Sequence, residues 1–399
     1  MKPVRIGKLL AALAAVLLAG CGGGGGGTAA SPQPELLSSL SQGAALGEKI
    51  FNDVSLSASG KQSCASCHNP DNAHGPSDGL AIPLGGPDGI VAGFRASPSL
   101  RYMQQTPAFH FEADGTPVGG FNRDGRAATL QDQAERPLLA PHEMANASKA
   151  DAVARLSKAA YADQFRSVFG AAIFDNAEQA FSRMQFALQQ FEKEDPRFHP
   201  FDSKYDLFLA GKVMLNDAEL RGLALFNNPA KGNCAACHPG ARGSDGSAPL
   251  FTDFSFDALG VPRNPRIPAT ADPAYFDLGL CGPDRTDLSA RQDLCGAFKV
   301  PTLRNVATRK SFFHNGYFTN LTDVVRFYVR RDTNPEEWYP VGANGVAEKF
   351  NDLPPQLRKN VNTAEGPYNR QPGMMPALDE TEIADLVQFL GSLTDGYKL

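Results

Sequence analysis

Cys64-Ala65-Ser66-Cys67-His68 and Cys234-Ala235-Ala236-Cys237-His238 are two copies of one pattern, Cys-x-x-Cys-His, set 170 residues apart in a chain of 399. The pattern is the attachment signal of a c-type haem. Cysteines three apart share one helical face, so both sulfurs can bond the two vinyl carbons of one porphyrin. The next residue, His, then presents a ring nitrogen to the iron from the same side. With 7 Cys and 7 His in the chain, one chance match has odds of roughly 0.002, so two are not accidental. Zinc competes in principle, because two Cys-x-x-Cys knuckles can build a four-cysteine site. The wide separation and the His directly after each pair favour haem, and also argue against a redox disulfide.

The approaches to the two motifs match as well. Ala45-Leu46-Gly47-Glu48-Lys49-Ile50-Phe51-Asn52 precedes the first and Leu220-Arg221-Gly222-Leu223-Ala224-Leu225-Phe226-Asn227 the second. Each reads as an amphipathic helix entering a haem loop. Between the units, Val153, Leu156, Ala160, Phe165, Val168 and Phe169, then Ala180, Met184, Leu188 and Phe191, fall at helical spacing. They predict a helical hairpin over 150–194 with its turn near 170–176. A final helix is predicted from about Asp379 to Leu393, with Asp379 and Glu382 as a capping box and Ile383, Leu386, Val387 and Leu390 as its buried stripe. The expected fold class is all-α with long loops, which 39 Gly and 30 Pro also indicate. Two cytochrome c-like domains are expected, 41–205 and 206–399, each with one covalent haem c.

Composition excludes some partners. At 42% apolar and 20% charged residues the chain is that of a soluble globular protein, and a net charge of −5 gives no basic footprint for nucleic acid. Lys2, Arg5 and Lys8 precede an apolar run from Leu9 to Ala19 that is too short to span a bilayer, the layout of a secretory signal. The run ends in Leu18-Ala19-Gly20-Cys21, which resembles a bacterial lipobox. Residues 1–20 are therefore expected to be removed as a signal peptide, leaving Cys21 lipidated. Residues 21–40, with the Gly22–Gly27 run, form a flexible tether. The protein is expected at the periplasmic face of a bacterial membrane, touching it through the lipid alone.

The sequence resembles the bacterial diheme cytochrome c peroxidases and their relative that matures methylamine dehydrogenase. The likeness covers most of the chain from about Leu46 onward. Beyond the haem motifs, its landmarks are Asp124-Gly125-Arg126-Ala127 with Leu130, Gln133, Pro137 and Glu143-Met144, and Phe298-Lys299-Val300-Pro301-Thr302-Leu303-Arg304-Asn305 with His314-Asn315-Gly316. The resemblance implies that the first haem reacts with hydrogen peroxide while the second stores and relays electrons from a small cytochrome c or copper protein. Splitting peroxide needs a base that takes a proton from the inner oxygen and returns it to the outer one. Glu143 stands at the family's position for that group, with Gln133 and Pro137 at the spacing of the pocket residues beside it. Taken alone, Glu143 would read as a solvated loop acid.

Three departures qualify the likeness. Leu84 stands where many peroxidases block the resting first haem with a distal His; His74 and His110 are the nearby histidines, and the first iron is expected to keep an open position. Arg123 replaces the tryptophan usually found between the haems, and the lone Trp338 lies far away in sequence. Ala96 replaces an Asn that helps bind calcium, which leaves calcium open. For the sixth ligand of the second haem the family register points to Tyr328, fourteen residues after His314, with Met374 or Met375 before the last helix as the rival. Tyr328 is favoured, and a phenolate would stabilise ferric and higher states where a thioether favours ferrous iron. Cys281 and Cys295, fourteen residues apart in an oxidising compartment, are expected to form a disulfide worth about 3 kcal/mol. His314 is expected near a haem edge, on a propionate or in a structural role, while His142, Met144 and His199 carry no assigned role. Two other functions compete with peroxide reduction: oxidation of a partner protein's side chains, and plain electron carriage. The oligomeric state is left open, a homodimer included.

Overall fold

The computed structural model describes residues 40–399. The signal segment, Cys21 and all but the last residue of the tether lie outside the described residues.

Among the described residues, the two largest hydrophobic cores form around two similar helix crossings. In the first, helix Gln42–Asn52 lies across helix Ala177–Glu194. In the second, helix Asp217–Asn227 lies across helix Glu380–Gly391. The matched glycines explain the closeness of each crossing. A Cβ on Gly47 would sit 2.0 Å from the Ala187 carbonyl oxygen, and one on Gly222 would sit 2.1 Å from that of Asp385. Four residues on, Phe51 meets Phe191 edge to face at 5.5 Å, and Phe226 meets Phe389 at 5.2 Å. Each crossing thus combines backbone contact at a glycine with an aromatic pair one turn later, a geometry worth more than its buried area alone.

Local chemistry sets the helix ends. Asp379 and Glu382 form the expected capping box of the last helix, and its buried face is Ile383, Asp385, Leu386, Phe389 and Leu390. Asp385 belongs there because it receives Arg221 from the crossing helix at 2.6 Å. The predicted hairpin over 150–194 is corrected. Its first arm is two helices, Lys149–Leu156 and Ala162–Phe169, and its second is Ala177–Glu194. The break lets the Tyr161 hydroxyl reach Asp53 at 2.8 Å while Phe165 stays fully buried.

The all-α expectation holds only in part. Helices make the cores, yet much of the chain is loop, closed among the described residues by three two-residue antiparallel pairs: Leu84–Gly85 with Val91–Ala92, His110–Phe111 with Pro117–Val118, and Phe256–Asp257 with Phe298–Lys299. Loop backbone that leaves water must find partners, and these short ladders supply them. Cys281 and Cys295 are joined as a disulfide with Cα atoms 5.0 Å apart.

A buried ionic network ties the two halves. Arg95 holds Asp277 through two bonds, at 2.6 and 2.7 Å, and Asp124 at 2.6 Å. Arg126 also binds Asp124, at 2.7 Å, while Arg285 donates to the Asp124 carbonyl at 2.8 Å. Burial pushes the Asp124 carboxyl up, but Arg95 and Arg126 outweigh it and hold the group below its ordinary value.

Candidate active site

The first cavity, of about 160 Å³, gathers Cys64, Cys67 and His68 with Gln133, Pro137 and Glu143. It far exceeds the ~10–15 Å³ a single water needs. Cys64–Cys67 is one helical turn whose last step brings the His68 N–H onto the Cys64 carbonyl at 2.9 Å. His68 Nδ1 lies 3.2 Å from the His74 carbonyl oxygen. With the proton on Nδ1, the Nε2 lone pair is left for a metal, the usual outer-shell arrangement of a ligating histidine. His74 therefore supports His68 through its backbone. Its ring lines neither cavity and stacks on Phe198 at 3.9 Å. His110 is exposed beside Glu112. Neither histidine faces His68 across the cavity, whereas Leu84 does line it.

Opposing elements position the polar group. A Thr129–Asp132 capping box starts the short helix Leu130–Gln133, and Pro137 belongs to the next, Glu135–Leu139. The Pro137 carbonyl accepts the Met144 N–H at 3.0 Å, folding the Glu143 loop back onto that helix. From the other side the Leu84–Gly85 strand presses on the same loop. A Cβ on Gly85 would meet the His142 carbonyl oxygen at 2.3 Å, and the Gly86 N–H donates to the Glu143 carbonyl at 2.8 Å. Burial pushes the Glu143 carboxyl above its ordinary value against the pull of Arg136 and Arg126, with Asp284 adding to the rise. A carboxylate shifted that way is a better base for a weakly acidic oxygen.

The larger cavity, of about 270 Å³, gathers Cys234, Cys237, His238 and Tyr328. Here His238 Nδ1 lies 2.8 Å from the Phe251 carbonyl oxygen, the same support that His74 gives His68. Tyr328, on helix Leu321–Arg330, is flanked by Phe313 and Tyr368 at ring distances of 5.7 and 5.9 Å. Burial raises its hydroxyl above the ordinary value, and Asp257, Cys234 and Cys237 add to the rise. Met374 and Met375, the rival ligand candidates, lie elsewhere. They are 52% and 79% exposed and line neither cavity, because their loop turns outward before the last helix. His314 lines the larger cavity, stacked on Phe298 at 3.7 Å with Nε2 3.2 Å from Asp352. Since the two cysteine pairs face separate cavities, they do not assemble a joint four-cysteine zinc site.

A family model described as di-haem cytochrome c peroxidase matches residues 41–214. The methylamine utilization protein MauG of Paracoccus denitrificans (strain Pd 1222) is 36% identical over 366 residues, 88% of this chain and 88% of the relative. The chain belongs to the di-haem cytochrome c peroxidase and MauG family. Cytochrome c551 peroxidase of Nitrosomonas europaea is 30% identical, covering 74% of this chain and 76% of its own length. The crystal structure of the diheme peroxidase BthA from Burkholderia thailandensis E264 matches with a TM-score of 0.82 at 38% identity, over 92% of this chain and 89% of that one. As a member of this family the protein is an oxidoreductase that uses haem.

The cavity walls fit that cofactor. Arg123, Arg309 and Lys299 are inward-facing cations with no ion-pair partner among the described residues, and all three line the larger cavity. Burial pushes them down, to about 9, about 10 and about 8 respectively. Buried cations need anions, and haem carries two propionate carboxylates. Haem would thus be held by Cys64, Cys67 and His68 in one cavity and by Cys234, Cys237 and His238 in the other, with these cations toward the propionates.

Sequence reasoning assigned no role to Phe94, His142 or Glu192, all of which line the first cavity. Phe94 and His142 line it with rings 5.4 Å apart, and His142 Nε2 is 3.7 Å from Glu143 Oε1. Glu192 also lines it, 7% exposed, with no ion-pair or hydrogen-bond partner among the described residues. Burial alone pushes its carboxyl up to about 8. The signal for Glu192 was available: it falls one turn after Leu188, within the apolar stripe of helix Ala177–Glu194. The carbonyl of Ala96, where calcium was left open, accepts Arg123 Nε at 2.8 Å.

Proposed function

We propose that this protein reduces hydrogen peroxide to water in its first cavity, with electrons delivered through the second. The observation that carries the reading is the meeting of Glu143, Gln133 and Pro137 with Cys64, Cys67 and His68 in one cavity. When bound, haem supplies the redox-active iron and the path for electrons. The chain supplies the proton handling. Glu143 takes the proton from the inner peroxide oxygen and returns it to the outer one, so that water leaves, while the Gln133 amide orients the peroxide by hydrogen bonding. Each turnover consumes one peroxide, two protons and two electrons and yields two waters. The electrons come from a small cytochrome c or copper protein. Phe51, Leu100, Leu188 and Met144 supply apolar walls that strengthen the electrostatic action of Glu143.

Four finer assignments accompany this reading. Both haems are held covalently by thioether bonds, within a peroxidatic domain over 41–205 and an electron-transfer domain over 206–399. Tyr328 is the sixth ligand of the second haem. The mature protein is anchored through Cys21 at the periplasmic face of a membrane. No calcium site is assigned.

A second reading is supported by the 36% identical MauG relative: the same oxidising power directed at side chains of a partner protein. Steady-state peroxide consumption with a reduced small cytochrome separates the two. Peroxidase function predicts two cytochromes oxidised per peroxide at a rate that saturates with donor. Negligible donor oxidation by a preparation carrying both haems would refute it.

A further inference from the structure

Arg123 stands between the two sites. With Pro98 and Asn122, it is one of three residues that line both cavities. Its carbonyl accepts the Lys299 N–H at 2.8 Å, which holds its backbone, and its Nε donates to the Ala96 carbonyl at 2.8 Å, which holds the guanidinium. The two Nη groups have no hydrogen-bond or carboxylate partner among the described residues. Asp277 is the acid that acts on this group, yet both of its oxygens are already held by Arg95. Arg309 and Arg95 add like charge nearby. A guanidinium left in such surroundings is strongly unfavourable unless an anion arrives with a ligand.

We infer that Arg123 is an electrostatic bridge between the two prosthetic groups, donating one Nη to a propionate carboxylate in each cavity. The inference rests on haem occupying both cavities. A planar guanidinium with several fixed donors can serve two carboxylates at once, which a lysine ammonium does less well. The consequence concerns how the sites communicate. An aromatic ring between haems can itself be oxidised, whereas a guanidinium cannot. A fixed positive charge instead favours the electron-richer state of each neighbouring iron. In this chain the inter-site residue therefore acts by raising both potentials together, not by carrying a hole.

The test is an anaerobic redox titration of the holoprotein, each haem followed by its own optical bands, in the parent, Arg123→Gln and Arg123→Lys. Haem is counted first by pyridine haemochrome. With two haems per chain, Arg123→Gln should lower both midpoints and Arg123→Lys should return them most of the way. A shift at one haem only, or at neither, overturns the bridge. Fewer than two haems in the parent overturns the occupancy beneath it, and the two failures are thereby distinguished. Should Arg123→Gln fail to load, the crystal structure of the parent holoprotein decides. An Nη within about 3.5 Å of a carboxylate on each side is expected, and contact with one group or none refutes the assignment.

Discussion

Replacing Gly222 with alanine places a methyl group 2.1 Å from the Asp385 carbonyl oxygen and 2.7 Å from the Phe389 Cβ. Ordinary contact begins near 3.4 Å, so the shortfall against backbone is about 1.3 Å, and no rotamer can relieve it. Helices Asp217–Asn227 and Glu380–Gly391 must separate. A gap of about 1 Å forfeits a quarter to a half of the dispersion at the contact, and overpacking of this kind costs about 1–3 kcal/mol. Helix propensity works the other way, since alanine exceeds glycine by about 1 kcal/mol in a helix interior. Because the clash is with backbone, the upper end of the steric range applies and the net loss is about 2 kcal/mol. In a unit of this size that lowers the Tm by about 4–8 °C. Gly47→Ala should behave alike, its methyl meeting the Ala187 carbonyl oxygen at 2.0 Å. Gly391→Ala is the control, for a Cβ there meets nothing within 4 Å. Thermal unfolding of the holoproteins, followed by far-UV circular dichroism and by each haem band, is the assay. Gly47→Ala should loosen the first haem band and Gly222→Ala the second. If either variant is as stable as the parent, the propensity term has won and the account of the twin crossings is wrong.

Four further predictions follow the site. Glu143→Gln should keep both haems and lose about 10²–10⁴ in turnover. The parent's activity should fall as pH drops through the raised Glu143 value, because the base must be ionised, and that acid limb should vanish from the residual rate of the variant; a near-normal rate would exclude Glu143 as the proton carrier. Tyr328→Phe should change the optical spectrum and potential of the second haem while Met374→Leu and Met375→Leu leave them intact, and the opposite pattern assigns a methionine. Glu192 has a folded value of about 8 against an ordinary 4.5. The unfolded chain thus ionises first, and stability from this group is lost as pH rises between those values, by up to about 1.4 kcal/mol per pH unit. Glu192→Gln should gain on the parent from pH 5 to pH 8, and parallel stability curves would show that the carboxyl ionises freely in the fold. Cys21→Ser should move the protein from the membrane pellet to the soluble fraction or block its processing, and unchanged fractionation with normal processing counts against a lipid anchor.

What the sequence determined by itself was the chemistry written in short spacings. Cys-x-x-Cys-His needs only one helical turn to present two sulfurs and a ring nitrogen, so both candidate haem sites were legible before any fold. The Asp379–Glu382 capping box was readable for the same reason, as was the match between the two approach helices. Glu143, Gln133 and Pro137 were reachable only because family landmarks fixed their register; no local signal separates Glu143 from a surface acid. Tertiary structure alone decided which distant segments share a cavity. It brings Tyr328 beside Cys234 and His238 while turning Met374 and Met375 outward, and it places the His74 ring against Phe198 with its carbonyl under His68. It also broke the expected hairpin at Tyr161 and set Arg123 in the wall common to both cavities. The physical reason is one of range. Covalent and helical periodicity act over a few residues, whereas a cavity wall is assembled by the burial of side chains far apart in the chain, and whether a charge such as Glu192 or Arg123 ends inside it depends on every neighbour that packs around it.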